Sequence, residues 1–267
     1  MIKELGDLEK ILVFSDLHIP YQDDKAIDCM IQYATKQYKP DTIVINGDLL
    51  DFYGLSNFDK NPARKDCIQN DLDTAKRFLY DLRKSFPKAK IYYLEGNHEV
   101  RLQKYLWKNP ELISLDAIRL ENLLELKQNK IEFIGASPDY WKRDNGHLKL
   151  GDIIIMHGDN RLNGAKYSQY SGYAAKNTMM TFQMSTVQGH THRLGKVYNS
   201  NPYKKMTGIE EGCLSQISGS ANWQQGFLTF ELDKNKGVNQ RLYQINDEVL
   251  YIDCKKYTSR KKIKNPI

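Results

Sequence analysis

Short apolar runs alternate with amphipathic stretches through the first half of the chain. Residues 10–15 (KILVFS) form an apolar run ending at Asp16, which predicts a buried strand that delivers polar residues at its C-terminal end. Residues 24–37 then place Ala26, Ile27, Met30, Ile31 and Ala34 at helical spacing, with Asp23 or Asp24 available as a cap and Pro40 beyond the end. The unit repeats. Residues 42–46 (TIVIN) run into Gly47-Asp48, a second amphipathic stretch carries Ile68, Leu72, Ala75, Leu79 and Leu82, and 89–94 (AKIYYL) runs into Gly96-Asn97-His98. Strand, helix, strand, helix, strand predicts parallel pairing with crossover helices, and such sheets collect ligands beyond the carboxyl ends of their strands.

The second half has a different pattern. After a helical region of roughly 100–127 come short alternating runs at 131–134, 147–156, 195–199, 226–232 and 238–245, with turn residues between them. They predict a second sheet, mixed or antiparallel, and the two sheets flanked by helices make a layered α/β sandwich. A single domain over 1–252 followed by a basic C-terminal tail, 253–267, is the expected organisation.

Composition narrows the class. Apolar residues are 40% of the chain and charged residues 27%, and no apolar run approaches the roughly 18 residues of a membrane span, which predicts a soluble protein with no membrane partner. The N-terminus carries acids where a secretory signal would be basic and then apolar, so the cytoplasm is the expected compartment. Cys29, Cys67, Cys213 and Cys254 have no paired spacing and predict buried thiols rather than disulfides or a thiolate zinc site. The net charge of +6 is carried by Lys255, Lys256, Arg260, Lys261, Lys262 and Lys264, leaving the chain before them formally neutral. Such a tail could track phosphates or simply be solvated.

Five polar clusters carry the candidate chemistry: Asp16-Leu17-His18, Gly47-Asp48-Leu49-Leu50-Asp51, Gly96-Asn97-His98-Glu99, His157-Gly158 and Gly189-His190-Thr191-His192. Of six histidines only His147 lies outside them. Each cluster follows an apolar run, so strand ends can bring imidazoles and carboxylates from distant positions around metal ions. Asp16 and His18, two residues apart at an extended strand end, would share one side. His190 and His192 have the same spacing, and the neighbouring glycines permit tight turns.

In order and spacing this constellation resembles the calcineurin-like metallophosphoesterase superfamily, whose signature is D-x-H, G-D-x-x-D, G-N-H-[ED], H and G-H-x-H. All five elements match, over residues 10–192. The resemblance implies a four-layer α/β/β/α sandwich with two mixed central sheets. It also implies a first metal held by Asp16, His18 and His192, a second held by Asn97, His157 and His190, and Asp48 bridging them. Hydrolysis would proceed by attack of a metal-bridging hydroxide, with His98 as the catalytic proton donor and Asp51 orienting its ring. The oxygen and nitrogen donor set admits manganese, iron or zinc, with manganese favoured. A non-catalytic, metal-stabilised interaction module is the alternative of another class.

The substrate is less legible. Serine/threonine protein phosphatases of the superfamily extend the second motif to G-D-x-x-D-R-G, whereas this chain reads Asp51-Phe52-Tyr53-Gly54. Arg101 could replace that arginine as a phosphate contact or could be an exposed helical residue. A tyrosine-rich stretch, 159–173, offers Arg161, Lys166, Tyr167 and Tyr170, cations and rings suited to phosphate contact and base stacking, or a solvated loop. Trp223-Gln224-Gln225-Gly226 could be a similar rim or a turn. The chain is similar to bacterial and bacteriophage-encoded members, and the expected substrate is a nucleotide or nucleic-acid phosphodiester, with a phosphomonoester (small metabolite or phosphoprotein) as the alternative.

Overall fold

Each element forms where an apolar run meets a helix or sheet able to cover it. In the computed structural model, which describes residues 8–61, 64, 67–135, 146–159, 168–217 and 222–259, the chain runs β1 (Glu9–Phe14), α1 (Asp24–Tyr33), β2 (Thr42–Asn46), α2 (Ile68–Ser85), β3 (Lys90–Leu94), α3 (Val100–Lys108) and α4 (Leu120–Leu123). It continues through β4 (Ile131–Ile134), β5 (His147–Leu150), β6 (Ile153–Met156), α5 (Tyr173–Phe182), β7 (Ser185–Gln188), β8 (Leu194–Asn201) and β9 (Lys204–Glu211). Last come β10 (Gln225–Asp233), β11 (Lys236–Ile245), β12 (Val249–Ile252) and β13 (Lys255–Thr258). The Asp23 carboxylate caps α1 by accepting from the amides of Lys25 and Ala26. The periodic stretch to residue 37 does not stay α-helical: Ala34–Tyr38 widens into a π-helical turn, closed by Lys39 in the left-handed region.

Two sheets result. The first has the order β11-β10-β1-β2-β3-β4, the second β5-β6-β7-β9-β8. Strands β1 to β4 pair in parallel, as the crossover pattern predicts, and β6, β7 and β9 are also parallel. Within β1 the faces divide by alternation. Ile11 and Val13 meet Ile153, Ile155, Val187 and Ile209 of the second sheet, while Leu12 and Phe14 join Met30 of α1 and Leu79 of α2 on the outer side. Helix α5 covers the second sheet. The architecture is a mixed α/β sandwich with helices outside two mixed sheets.

One sheet assignment is corrected. The runs at 131–134, 226–232 and 238–245, read as parts of the second sheet, all belong to the first: β4 pairs in parallel with β3, and β10 is antiparallel to both β1 and β11. Strand periodicity specifies which face is apolar but not which sheet receives it. The stretch expected to begin a tail at 253 instead folds in part, since β13 forms a hairpin with β12 against α1, with Tyr257 buried. The basic residues from Arg260 onward lie outside the described residues. Cys29 and Cys213 are buried free thiols as expected, but Cys67 and Cys254 are exposed. Among the described residues, no helix is long and apolar enough to cross a membrane.

Candidate metal centre

The carboxyl ends of β1, β2 and β3 in one sheet and of β6 and β7 in the other open on a common space. The sheets are joined there by hydrogen bonds. Asn46 Nδ2, at the end of β2, donates to the Met156 carbonyl and to Glu211 Oε1, both at 2.9 Å, and the His190 amide donates to Asp16 Oδ2 at 2.9 Å.

The donors are aimed by backbone that L-residues seldom adopt. Asp16, His18, Asp48, His190 and His192 all have φ between 49° and 66°. Asp16 and His18 therefore do not share a side by extended-strand alternation, as their spacing suggests; left-handed turns re-aim each of them. Such conformations cost of order 1 kcal/mol or more apiece and persist where surrounding bonds over-determine them. Two glycines permit the close approach. A Cβ on Gly96 would stand 2.1 Å from Asp48 Oδ1, and one on Gly189 would stand 2.4 Å from Ser15 Oγ.

Three groups of potential ligands result: Asp16, His18 and His192; Asp48, His157 and His190; and His18, Asp51 and His98, the first and last sharing His18. In the first, Asp16 Oδ1 is fully buried and has no hydrogen-bond partner among the described residues, yet faces His192 Nε2 at 3.2 Å and His18 Nε2 at 3.6 Å. The two Nε2 atoms are themselves 2.9 Å apart. In the second, His157 Nδ1 donates to the Asn46 carbonyl at 2.8 Å, which leaves Nε2 facing Asp48 Oδ2 and Asn97 Oδ1, each at 3.1 Å. Asp48 Oδ2 also lies 3.8 Å from Nε2 of both His18 and His98, between the groups. Nitrogen and oxygen acceptors that converge without enough protons to share fit a divalent cation.

The charges agree. Burial alone would raise the Asp16 carboxyl, but His192 and His18 hold it well below the usual range, and His157 and His98 do the same for Asp48. Burial would lower His18 and His157, but the facing carboxylates push both up to about 10. His190 goes the other way, down to about 4, through burial and the neighbouring His157. The carboxylates thus demand positive charge, from protons or from metal.

His98 lies beside this space rather than within its nitrogen pairs. Its Nδ1 is 2.8 Å from the Asp51 carbonyl and 3.2 Å from Asp51 Oδ1, fixing that nitrogen as the donor. Arg101 is not an exposed helical arginine. It is partly buried, donates to the same Asp51 carbonyl at 2.7 Å and reaches His98 Nε2 at 3.1 Å.

Sequence reasoning missed two residues. Glu99 is buried and takes three backbone amides: those of Asp48 (2.9 Å) and Gly96 (2.8 Å) on Oε2 and that of Leu50 (3.0 Å) on Oε1. It clips together the two turns carrying Asp48 and Asn97-His98, and its place in Gly-Asn-His-Glu was the available signal. Arg64 stacks over Tyr53 at 3.5 Å from the ring centre and bonds Asp51 Oδ2 at 3.3 Å, and no motif marks it. Arg161, Lys166 and Tyr167 lie outside the described residues. Tyr170 is 60% exposed and pairs with Tyr173 at 5.7 Å.

A family model described as calcineurin-like phosphoesterase matches residues 9–194. The chain belongs to the calcineurin-like phosphoesterase family. It is 30% identical over 243 residues to the Gene 54 protein of Mycobacterium phage D29, covering 85% of this chain and 90% of that protein. The Gene 54 protein of Mycobacterium phage L5 is also 30% identical, over 241 residues, 84% of this chain and 89% of the relative. Among solved structures, a metallophosphoesterase from Sphaerobacter thermophilus is 17% identical with a TM-score of 0.46, covering 88% of this chain and 90% of that one. Vacuolar Protein Sorting 29 from Cryptosporidium parvum is 14% identical with a TM-score of 0.47, covering 95% and 100%.

Proposed function

We propose that this calcineurin-like phosphoesterase is a dinuclear, metal-dependent phosphodiesterase acting on nucleotides or nucleic acid. The observation that carries the reading is the position of Asp48 Oδ2, 3.1 Å from His157 Nε2 and 3.8 Å from His18 Nε2, where one carboxylate serves both donor groups. Asp16, His18 and His192 would hold one ion and Asn97, His157 and His190 the other, with manganese favoured and iron or zinc admitted by the same donors. Two divalent ions there would neutralise phosphoryl oxygens and lower the pKa of an attacking water.

The chain's own residues supply the rest. Asp51 holds the proton of His98 on Nδ1, so Nε2 faces the reaction space and can take up and pass a proton to the leaving oxygen. Arg101, now against Nε2, would turn onto a phosphoryl oxygen and vacate Nε2 as substrate enters. The position of the protein-phosphatase arginine is filled by Phe52, fully buried, which supports diesters over phosphoproteins.

Bis(p-nitrophenyl) phosphate and p-nitrophenyl phosphate, each with manganese-loaded protein, test the reading. A kcat/KM at least tenfold higher for the diester is expected. The reverse ratio would reassign the enzyme to phosphomonoesters, and failure to cleave either with metal bound would leave only the non-catalytic module.

A further inference from the structure

Four rings are in successive contact at the metal centre. His98 and His18 have centroids 4.4 Å apart, His18 and His192 are 4.9 Å apart, and His192 and Trp223 are 4.6 Å apart. The proton-handling imidazole is at one end and an indole at the other. Between them lie the nitrogens that face Asp16 and Asp48, where the phosphoryl group must sit.

Trp223 is built into this position. The amide after it, Gln224 N, donates to the His192 carbonyl at 2.8 Å, and the Gln224 carbonyl accepts from Cys213 N at 3.1 Å. Gln224 Oε1 accepts from the Leu194 amide at 3.1 Å and from Ser171 Oγ at 3.4 Å. On the other side, Asn222 Nδ2 donates to the Gln169 carbonyl at 3.1 Å. The chain on both sides of the indole is thus tied to the turn carrying His192 and to the segment leading into α5, where Tyr170 and Tyr173 are 60% and 52% exposed, and the ring itself packs on His192. Only half-buried, the indole offers an aromatic surface to the site on an anchored stretch of backbone.

An indole brings no charge to a phosphate and at most one N–H, whereas its face is suited to stacking on a base. The end of the centre near His98 carries Arg101 and Arg64, suited to phosphoryl oxygens and a charged leaving group, whereas the Trp223 end offers stacking. A phosphodiester has two substituents, and this polarity distinguishes them. We propose that Trp223 is the stacking wall for the nucleobase of the non-leaving substituent, which makes it a specificity-determining residue and the substrate class nucleoside phosphodiesters. This rests on the phosphoesterase reading above.

The test uses two diesters with one leaving group: thymidine 5′-(p-nitrophenyl) phosphate and methyl p-nitrophenyl phosphate, with metal-loaded wild-type, Trp223→Ala and Trp223→Phe proteins of measured metal content. Stacking predicts that the wild type prefers the thymidine ester. Trp223→Ala should erode that preference about tenfold, through KM, and Trp223→Phe should restore most of it. If both esters lose activity equally, or metal content and kcat fall together, Trp223 only props His192 and the proposal is overturned. If the wild type cleaves neither ester, the phosphoesterase reading falls on its own. The proposal is then decided by calorimetric affinity for AMP against ribose 5-phosphate, where equal affinities in wild type and Trp223→Ala overturn it.

Discussion

Replacing Glu99 with glutamine exchanges one oxygen for an NH2 in a pocket where three backbone amides donate to the carboxylate. The amide oxygen can keep the Asp48 and Gly96 amides, but the new nitrogen then faces the Leu50 amide at about the present 3.0 Å, or the reverse with two amides lost. A buried amide left unsatisfied costs about 1–3 kcal/mol, and the bonds that remain lose their charge assistance, a further ~1 kcal/mol or more. One term opposes this: burial and the nearby Asp48 raise the Glu99 carboxyl, so removing its charge relieves some repulsion. The net expectation is a destabilisation of about 2–4 kcal/mol, a large share of the ~5–15 kcal/mol typical of a folded chain. Urea unfolding with chelator present, at constant m-value, isolates this from metal binding. Activity should fall as well, because the turns bearing Asp48 and His98 share this clip. A change in stability below about 0.5 kcal/mol would refute the reasoning, since it would mean the three amides find other acceptors or water.

Further predictions follow from other contacts. His98→Ala should lower kcat by about 10²–10⁴ with metal content unchanged, measured by turnover and elemental analysis; a loss of metal in step with activity would make His98 a ligand instead. Asp48→Asn should weaken retention of metal most among single carboxylate changes, read by titration with manganese, because both donor groups face Oδ2. Gly96→Ala should yield a misassembled centre with reduced metal stoichiometry, since the new Cβ overlaps Asp48 Oδ1, and full stoichiometry would contradict the packing. Burial pushes the Glu211 carboxyl up to about 8 from an ordinary 4.5. Its contribution to stability is therefore complete below pH 4.5 and is lost as pH rises through 8, by up to roughly 5 kcal/mol. Glu211→Gln should flatten that slope in metal-free denaturation curves, and parallel curves would count against it.

The donors were legible because each is a chemically distinctive residue at the end of an apolar run, and convergence follows once the runs pair in parallel. Three kinds of feature were not. The destination of β4, β10 and β11 depends on which sheet has an open edge, which alternation within a strand does not encode. Strand β9 was unread because its sequence, KKMTGIEE, ends in two glutamates. Both are buried: Glu210 accepts from the Thr191 hydroxyl and the Gly172 amide, and Glu211 accepts from Asn46. The left-handed backbone at Asp16, His18, Asp48, His190 and His192 is imposed by tertiary bonds against local preference, so the residues that the spacing singles out do converge, but with a local geometry the spacing does not predict.

The pairing of β1 also bears on how the chain can be cut and in what order it can mature. Every motif residue lies before position 195, yet the strand leading to Asp16 and His18 is flanked on one edge by β2 and on the other by β10, more than 200 residues later, with Ile11 opposite Phe230 and Val13 opposite Leu228. A fragment ending at the last histidine would contain every donor and expose the edge and one neighbour of the strand that aims the first two. A ribosome-bound chain is in the same condition until residues past 233 emerge. The donor residues thus precede in sequence, by some distance, the strand that closes the edge of β1.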